Sequence, residues 1–247
     1  MTPGDNVFVR VHPDRDREKK HGLLVSLTRA DGLVLGLRSG NGLASTVAGD
    51  IAGVWDALGH FSMPFIDRDS DPERHFTAAG LQARAEYTNE QYPPAACVPF
   101  ATPMLTVMPY LNEIEILDDR VLIRSEFYGV ERTIYTDGRG HPAQGPRTIQ
   151  GHSIGSWSGT TLIVDTQLFA DFRYAHGPGV PSGSQKHTVE KFELSPDRSQ
   201  LNIEIVVEDP EFVSEPYTVA AIWDYAPGRQ MAPFACDSES AKIFLAP

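Results

Sequence analysis

Gly151-His152-Ser153-Ile154-Gly155-Ser156-Trp157-Ser158-Gly159-Thr160-Thr161-Leu162-Ile163-Val164-Asp165-Thr166 reads as two short strands, 151–157 and 160–166, about a Ser158-Gly159 turn. β-Branched residues dominate the second run, Ile154 and Trp157 stand in the first, and a Ser-Gly pair between such runs is a hairpin signal. A long loop follows, then a third strand that opens at His187 and carries Glu190. Three of the eight histidines, His152, His176 and His187, fall between 151 and 190, and Asp165 sits late in an otherwise apolar strand. Polar side chains on strands that should line a core point to a small-molecule site inside a β-barrel.

Runs of the same kind flank this hairpin. Before it lie 112–117, a turn at Asp118-Asp119, then 121–128 and 130–136, closed by Asp137-Gly138. After it lie 185–194, 201–208, 217–225 and 234–236, with turns at Ser195-Pro196-Asp197 and Asp209-Pro210. Eight or nine antiparallel strands with turn chemistry between neighbours predict an up-and-down barrel or a sandwich. Before the strands, Thr77 is placed to N-cap a helix over 78–89, and Pro93-Pro94 ends any helix there. Residues 60–75 and 91–109 are rich in turn formers and read as irregular.

The chain divides into a small N-terminal β unit, 1–48, and a barrel domain, 49–247. In the first, Val7, Val9 and Val11 alternate along a strand at 6–12, and 22–28 and 33–38 flank the turn Arg29-Ala30-Asp31-Gly32. Three short strands expose edges that need covering, which suggests a homodimer. Gly- and Ser-rich 39–49 reads as the linker.

The net charge of −12 argues against nucleic acid and against docking on anionic lipid. The basic run Arg15-Asp16-Arg17-Glu18-Lys19-Lys20 is diluted by acids and reads as a solvated loop. No apolar run reaches the roughly 18 residues of a membrane span. Thr2-Pro3-Gly4-Asp5 after Met1 carries no secretory pattern, so a cytoplasmic protein is expected, or a periplasmic one if a leader was removed. In the cytoplasm Cys97 and Cys236 would be two reduced thiols; in an exported chain they would form one disulfide between the start and end of the barrel. A catalytic Cys97 has no neighbouring cation in sequence to lower its pKa.

Gly53-Val54-Trp55 resembles the entry of a lipocalin, where the tryptophan closes one end of the barrel. Longer runs carry a second resemblance. Val130-Glu131-Arg132-Thr133-Ile134-Tyr135-Thr136-Asp137-Gly138-Arg139, the hairpin quoted above, His187 with Glu190, Asp209-Pro210, Cys97-Val98-Pro99 and Cys236 together resemble a large, mostly uncharacterised bacterial family with the pattern G-H-S-I-G-x-W-E-G-D-T-L-V-V-D-T. The resemblance covers about 50–245, and residues 1–40 look like the tail of a small barrel that often precedes it. It implies a mainly β fold: an antiparallel, lipocalin-like (calycin-type) up-and-down barrel with a small N-terminal β extension and one short helix. It implies no settled reaction. Where the family has W-E-G-D, this chain has Trp157-Ser158-Gly159-Thr160, and the loop 169–184 also departs.

Strand parity sorts the candidate chemistry. His152, Ile154 and Ser156 share one face, as do Thr161, Ile163 and Asp165. A turn at 158–159 sets His152 opposite Asp165, with Cβ atoms about 5 Å apart. A carboxylate beside an imidazole suits general acid–base work; the alternative is a structural pair holding the hairpin in register. His187, Val189 and Lys191 share one face of the third strand, and Thr188, Glu190, Phe192 and Leu194 the other. Glu190 is therefore expected as the buried acid, either catalytic or ion-paired to Arg132 or Arg124, and His187 is not expected to share its cavity. In the long loop, Tyr174 would complete the catalytic set with His152, Asp165 and Glu190, and Arg173 would clamp a substrate carboxylate, or else be an exposed loop arginine. Trp157, Tyr128, Arg132, Trp223 and His187 would contact the substrate.

No G-x-G-x-x-G, P-loop, G-x-S-x-G or H-E-x-x-H stands in a fitting context, so nicotinamide, flavin, nucleotide and metal chemistry gain no support. The expectation is a cofactor-independent lyase or isomerase acting on a small aromatic or terpenoid-like molecule in the barrel cavity. The alternatives are a non-catalytic binder of an apolar ligand and an interaction module.

Overall fold

The computed structural model describes residues 6–13, 22–30, 34–36, 47–57, 61–63, 75–177 and 179–241. The basic run at 15–20 and most of the 39–49 and 60–75 segments lie outside the described residues. Two compact units divide the chain, Met1–Ser45 and Thr46–Pro247. The first holds β1 (Val7–Pro13), β2 (Gly22–Arg29) and β3 (Val34–Gly36), an antiparallel meander in that order.

The second unit is a closed nine-stranded barrel. Its staves are β4 (Gly53–Asp56), β6 (Leu111–Ile116), β7 (Arg120–Ser125), β8 (Glu131–Tyr135), β9 (His152–Ser158), β10 (Thr161–Gln167), β11 (His187–Leu194), β12 (Gln200–Glu208) and β13 (Tyr217–Tyr225). β13 pairs back onto both β12 and β4, which closes the ring, and the short β5 (Phe61–Ser62) lies beside β13. The only helix longer than one turn among the described residues is α1 (Ala78–Ala85). Thr77 caps it, its hydroxyl accepting from the Gly80 N–H at 3.2 Å.

Alternation along the strands builds the interior. β7 buries Val121, Ile123 and Ser125; β12 buries Leu201, Ile203, Ile205 and Val207; β13 buries Tyr217, Val219, Ala221 and Trp223. Trp55, wholly buried, donates its indole N–H to Ile51 O at 2.9 Å near the start of the barrel. A one-turn helix, α2 (Met104–Val107), is buried at every residue, and the Trp223 indole donates to Thr106 O at 2.9 Å. Among the described residues, the void enclosed by Thr102, Thr106, Asn112, Arg132 and Trp223 is about 20 Å³. That holds about one water. This part of the barrel is filled by its own side chains, as in small barrels generally.

The meander differs from expectation at three places. β8 and β9 run parallel, pairing Ile134 with Ser153 and Tyr135 with Ile154. A parallel pair needs a long crossover, and residues 136–151 supply it, where an antiparallel pair was expected. The strand expected through 128 stops at Ser125, because Tyr128 adopts φ 55° in a 3-10 turn over Phe127–Gly129. No strand forms at 234–236; instead Cys236 bonds Cys97, with Cα atoms 5.4 Å apart. The expectation of two reduced thiols is thereby corrected.

Candidate functional site

The β9–β10 hairpin turns one residue later than its sequence suggests. Ser158 pairs with Thr161, so the two-residue loop is Gly159-Thr160. Gly159 has φ +63°, and a glycine at the first position of such a loop is the type II′ pattern. Asp165 therefore faces Ile154, and His152 faces Gln167. His152 and Asp165 keep the same face but stand one diagonal step apart, not opposite each other. At the start of β9, Gly151 has φ +70°, and a Cβ there would lie 2.7 Å from Gln167 O. Only glycine fits so close to the neighbouring chain.

His141, from the crossover, fills the gap between them. Its Nδ1 lies 2.9 Å from His152 Nδ1, and its Nε2 lies 2.8 Å from Asp165 Oδ1. His187 Nε2 reaches the other oxygen of Asp165 at 3.0 Å, and its Nδ1 lies 3.5 Å from Glu208 Oε2. One proton assignment satisfies both contacts of His141. Its Nε2–H donates to Asp165, its Nδ1 accepts from His152 Nδ1–H, and the free lone pair of His152 is on Nε2. That nitrogen has no protein partner among the described residues.

His152 faces a groove of about 610 Å³ where β8 and β9 diverge. Pro99, Tyr128, Tyr135, Pro142, Ile149 and Leu168 form its apolar walls, and Gln150, His152 and Ser153 supply polar atoms. The His152 ring lies 5.5 Å from that of Tyr135, nearly parallel to it. Burial lowers the His152 pKa, and His141 and Arg139 push it in the same direction. At neutral pH it is therefore an uncharged base. The groove is lined mainly from β8, β9 and the crossover between them, and by no residue of β12 or β13.

Inside the barrel, Glu190 and Arg132 form the ion pair that stood as the structural alternative. Arg132 Nη1 donates to Glu190 Oε1 at 3.0 Å and to Thr102 Oγ1 at 3.4 Å. Its Nη2 donates to Glu190 Oε2 and, at 2.8 Å, to Thr166 Oγ1, while Nε donates to Ser153 Oγ at 3.1 Å. All five N–H groups of the guanidinium are thus engaged. Arg132 has no donor left for a substrate, and Glu190, wholly buried, faces away from the histidines. Parity separates His187 from Glu190 as expected. The unexpected part is that His187 joins Asp165.

The other expected residues disperse. Arg173 donates to Ala83 O at 2.8 Å, bracing the end of α1 rather than facing the groove. Tyr174 packs edge-on against Tyr92, with centroids 5.3 Å apart, and burial pushes its hydroxyl up to about 12. Trp223 is buried in the core, and Trp157 is 42% exposed. Tyr128 does line the groove, its hydroxyl donating to Pro94 O at 3.0 Å.

Three participants went unread in the sequence. His141 sits in a loop with no periodicity to mark it. Lys186 is buried, donates to Thr102 O at 2.6 Å and lies 4.3 Å from the Phe169 ring centre; burial brings its pKa down to about 7. Asp209 joins His176 at 2.8 Å, and His176 joins the Tyr217 hydroxyl at 2.8 Å, pinning the long loop to the barrel. Among the described residues, no group of three or more His, Cys, Asp and Glu side chains is arranged to hold a metal ion, and no helix is long and apolar enough to cross a membrane. No protein-family model matches the chain, and neither does any curated protein.

Proposed function

We propose that the chain is an enzyme of the lyase or isomerase type that moves a proton on a small, largely apolar molecule bound in the groove. The observation that carries this reading is the free Nε2 of His152 in that groove, with Nδ1 backed by His141 and Asp165. Two hydrogen-bonded links fix the tautomer, and Asp165 stabilises the positive charge that develops when His152 takes a proton. The stacked Tyr135 and the proline walls suit a flat aromatic or terpenoid-like body. Dehydration, decarboxylation and ring opening need no more than such a positioned base and an electrostatic site.

A second reading is favoured by the apolar lining of the groove: with few convergent polar groups it also suits a carrier that binds without turnover. The Cys97–Cys236 bridge supports an oxidising compartment over the cytoplasm expected from the sequence.

The test is a panel of small aromatic and terpenoid compounds incubated in heavy water, with deuterium incorporation and product followed by mass spectrometry. Incorporation with the native protein and its loss in His152→Gln, with binding retained, supports the enzyme. Binding without incorporation leaves the carrier. Equal turnover by native protein and His152→Gln overturns the acid–base assignment.

A further inference from the structure

A second cleft, about 350 Å³ in volume, borders the groove and is lined by Arg147, Gln167, Leu168, Ser184, Gln185 and His187, with Lys186. Leu168 lines both spaces. It stands at φ 56°, a conformation that branched side chains rarely adopt and that clusters at ligand sites. Each space also holds one end of the histidine chain: His152 in the groove, His187 in the cleft, joined through His141 and Asp165.

The cleft differs from the groove in chemistry. Arg147 spends Nη1 on two carbonyls, Phe169 O at 3.0 Å and Ser184 O at 2.8 Å. Its Nε and Nη2, the edge that grips a carboxylate or phosphate with two parallel bonds, have no protein partner among the described residues. Arg147 pairs with no carboxylate there either. None of the described residues that line the cleft is acidic, and the nearby acids are hydrogen-bonded to Ser184 and His187. Glu211 accepts from Ser184 N and Oγ at 3.0 and 2.6 Å, and Asp165 and Glu208 hold His187. Arg147 is thus an exposed guanidinium anchored through Nη1, with no ion pair among the described residues, in a chain of net charge −12.

We infer that groove and cleft are two subsites for one amphipathic organic anion, its apolar body against Tyr128 and Tyr135 and its acidic oxygens on the free edge of Arg147. This rests on the groove being the binding site proposed above and adds the substrate class. Leu168 is the sill over which the ligand passes, and the anion would lie beside His187.

Decanoate and decanol share a chain and differ in the head group, so calorimetric titration with each separates the two subsites. The native protein should bind decanoate roughly threefold to fivefold more tightly than decanol, the upper range for an exposed ion pair of good bidentate geometry. Arg147→Gln should bring the ratio of the two affinities near one, and Arg147→Lys should restore part of it. Because the readout is a ratio, a general loosening of the loop leaves it unmoved. Equal affinities in the native protein, or a preference that survives Arg147→Gln, overturn the anion subsite while the groove reading stands. If neither probe binds, the two-subsite proposal falls, and the groove reading is decided by the aromatic and terpenoid panel alone.

Discussion

His141 and His152 face each other through their Nδ1 atoms at 2.9 Å, so only one of the two carries a proton there when both rings are neutral. The carboxylate of Asp165 on the far side of His141 decides which. Removing His141 should free the tautomer of His152 and take away the acceptor that steadies its Nδ1–H as the ring gains charge. Turnover should fall about tenfold to a hundredfold. Nitrogen-15 spectra of the imidazoles check the tautomer directly. An unchanged His152 spectrum would remove His141 from the mechanism.

Arg132 and Glu190 make the opposite kind of pair, sealed in the barrel and fully hydrogen-bonded. Glu190→Gln leaves the guanidinium charge buried without its counter-ion and should cost about 3–5 kcal/mol. Arg132→Met combined with Glu190→Leu should recover most of that loss, since no charge is then stranded. Urea unfolding of the three proteins measures both effects. A single variant as stable as the native protein would mean that water reaches the pair.

The barrel was legible because its cause is local. Alternation in 121–125, 187–194, 201–208 and 217–225 is written residue by residue, and the turn residues stand between. The same parity separated Glu190 from His187 correctly. Register was harder. Placing Gly159 second rather than first in the turn moved the partner of Asp165 from Ile154 to His152, because each step of a hairpin turn shifts every pair beyond it. The site itself depends on His141, brought in by a crossover that exists only because β8 and β9 run parallel. No periodic signal in 136–151 announces that long-range pairing. For Cys97 and Cys236 the sequence offered both reduced thiols and a bridge and could not choose, since bridging depends on a 5.4 Å approach in space.

Lys186 should make stability depend on pH in the alkaline range. Its pKa is about 7 in the fold, held down first by burial, against about 10.4 in an unfolded chain. Between those values the unfolded state binds more protons, so stability rises with pH from about 7 to about 10. Below 7 both states are charged and the slope from this group vanishes. Above 10 the buried Tyr217 works the other way, because its raised pKa makes the folded state hold a proton that the unfolded state gives up. Lys186→Met should flatten the rise across 7–10, measured as unfolding midpoints in urea at successive pH values. A rise that persists in the variant would assign it to another group.

The Cys97–Cys236 bridge spans 139 residues and so ties the start of the barrel domain to its end. Loop entropy gives about 5 kcal/mol for a closure of that length, and loss of native bridges in small secreted domains typically costs about 2–5 kcal/mol. The bridge also anchors a groove wall. Tyr128 bonds Pro94 O just before Cys97, and Pro99 just after it lines the groove. Replacing both cysteines with alanine should therefore lower stability by about 2–5 kcal/mol and raise amide exchange across 95–99 more than across β12. The selective change matters more than the total, since a uniform loss would come from chain entropy alone. If exchange at 95–99 stays level with β12, the bridge does not hold the wall, and the groove keeps its shape through Tyr128, Phe127 and Phe100 packing.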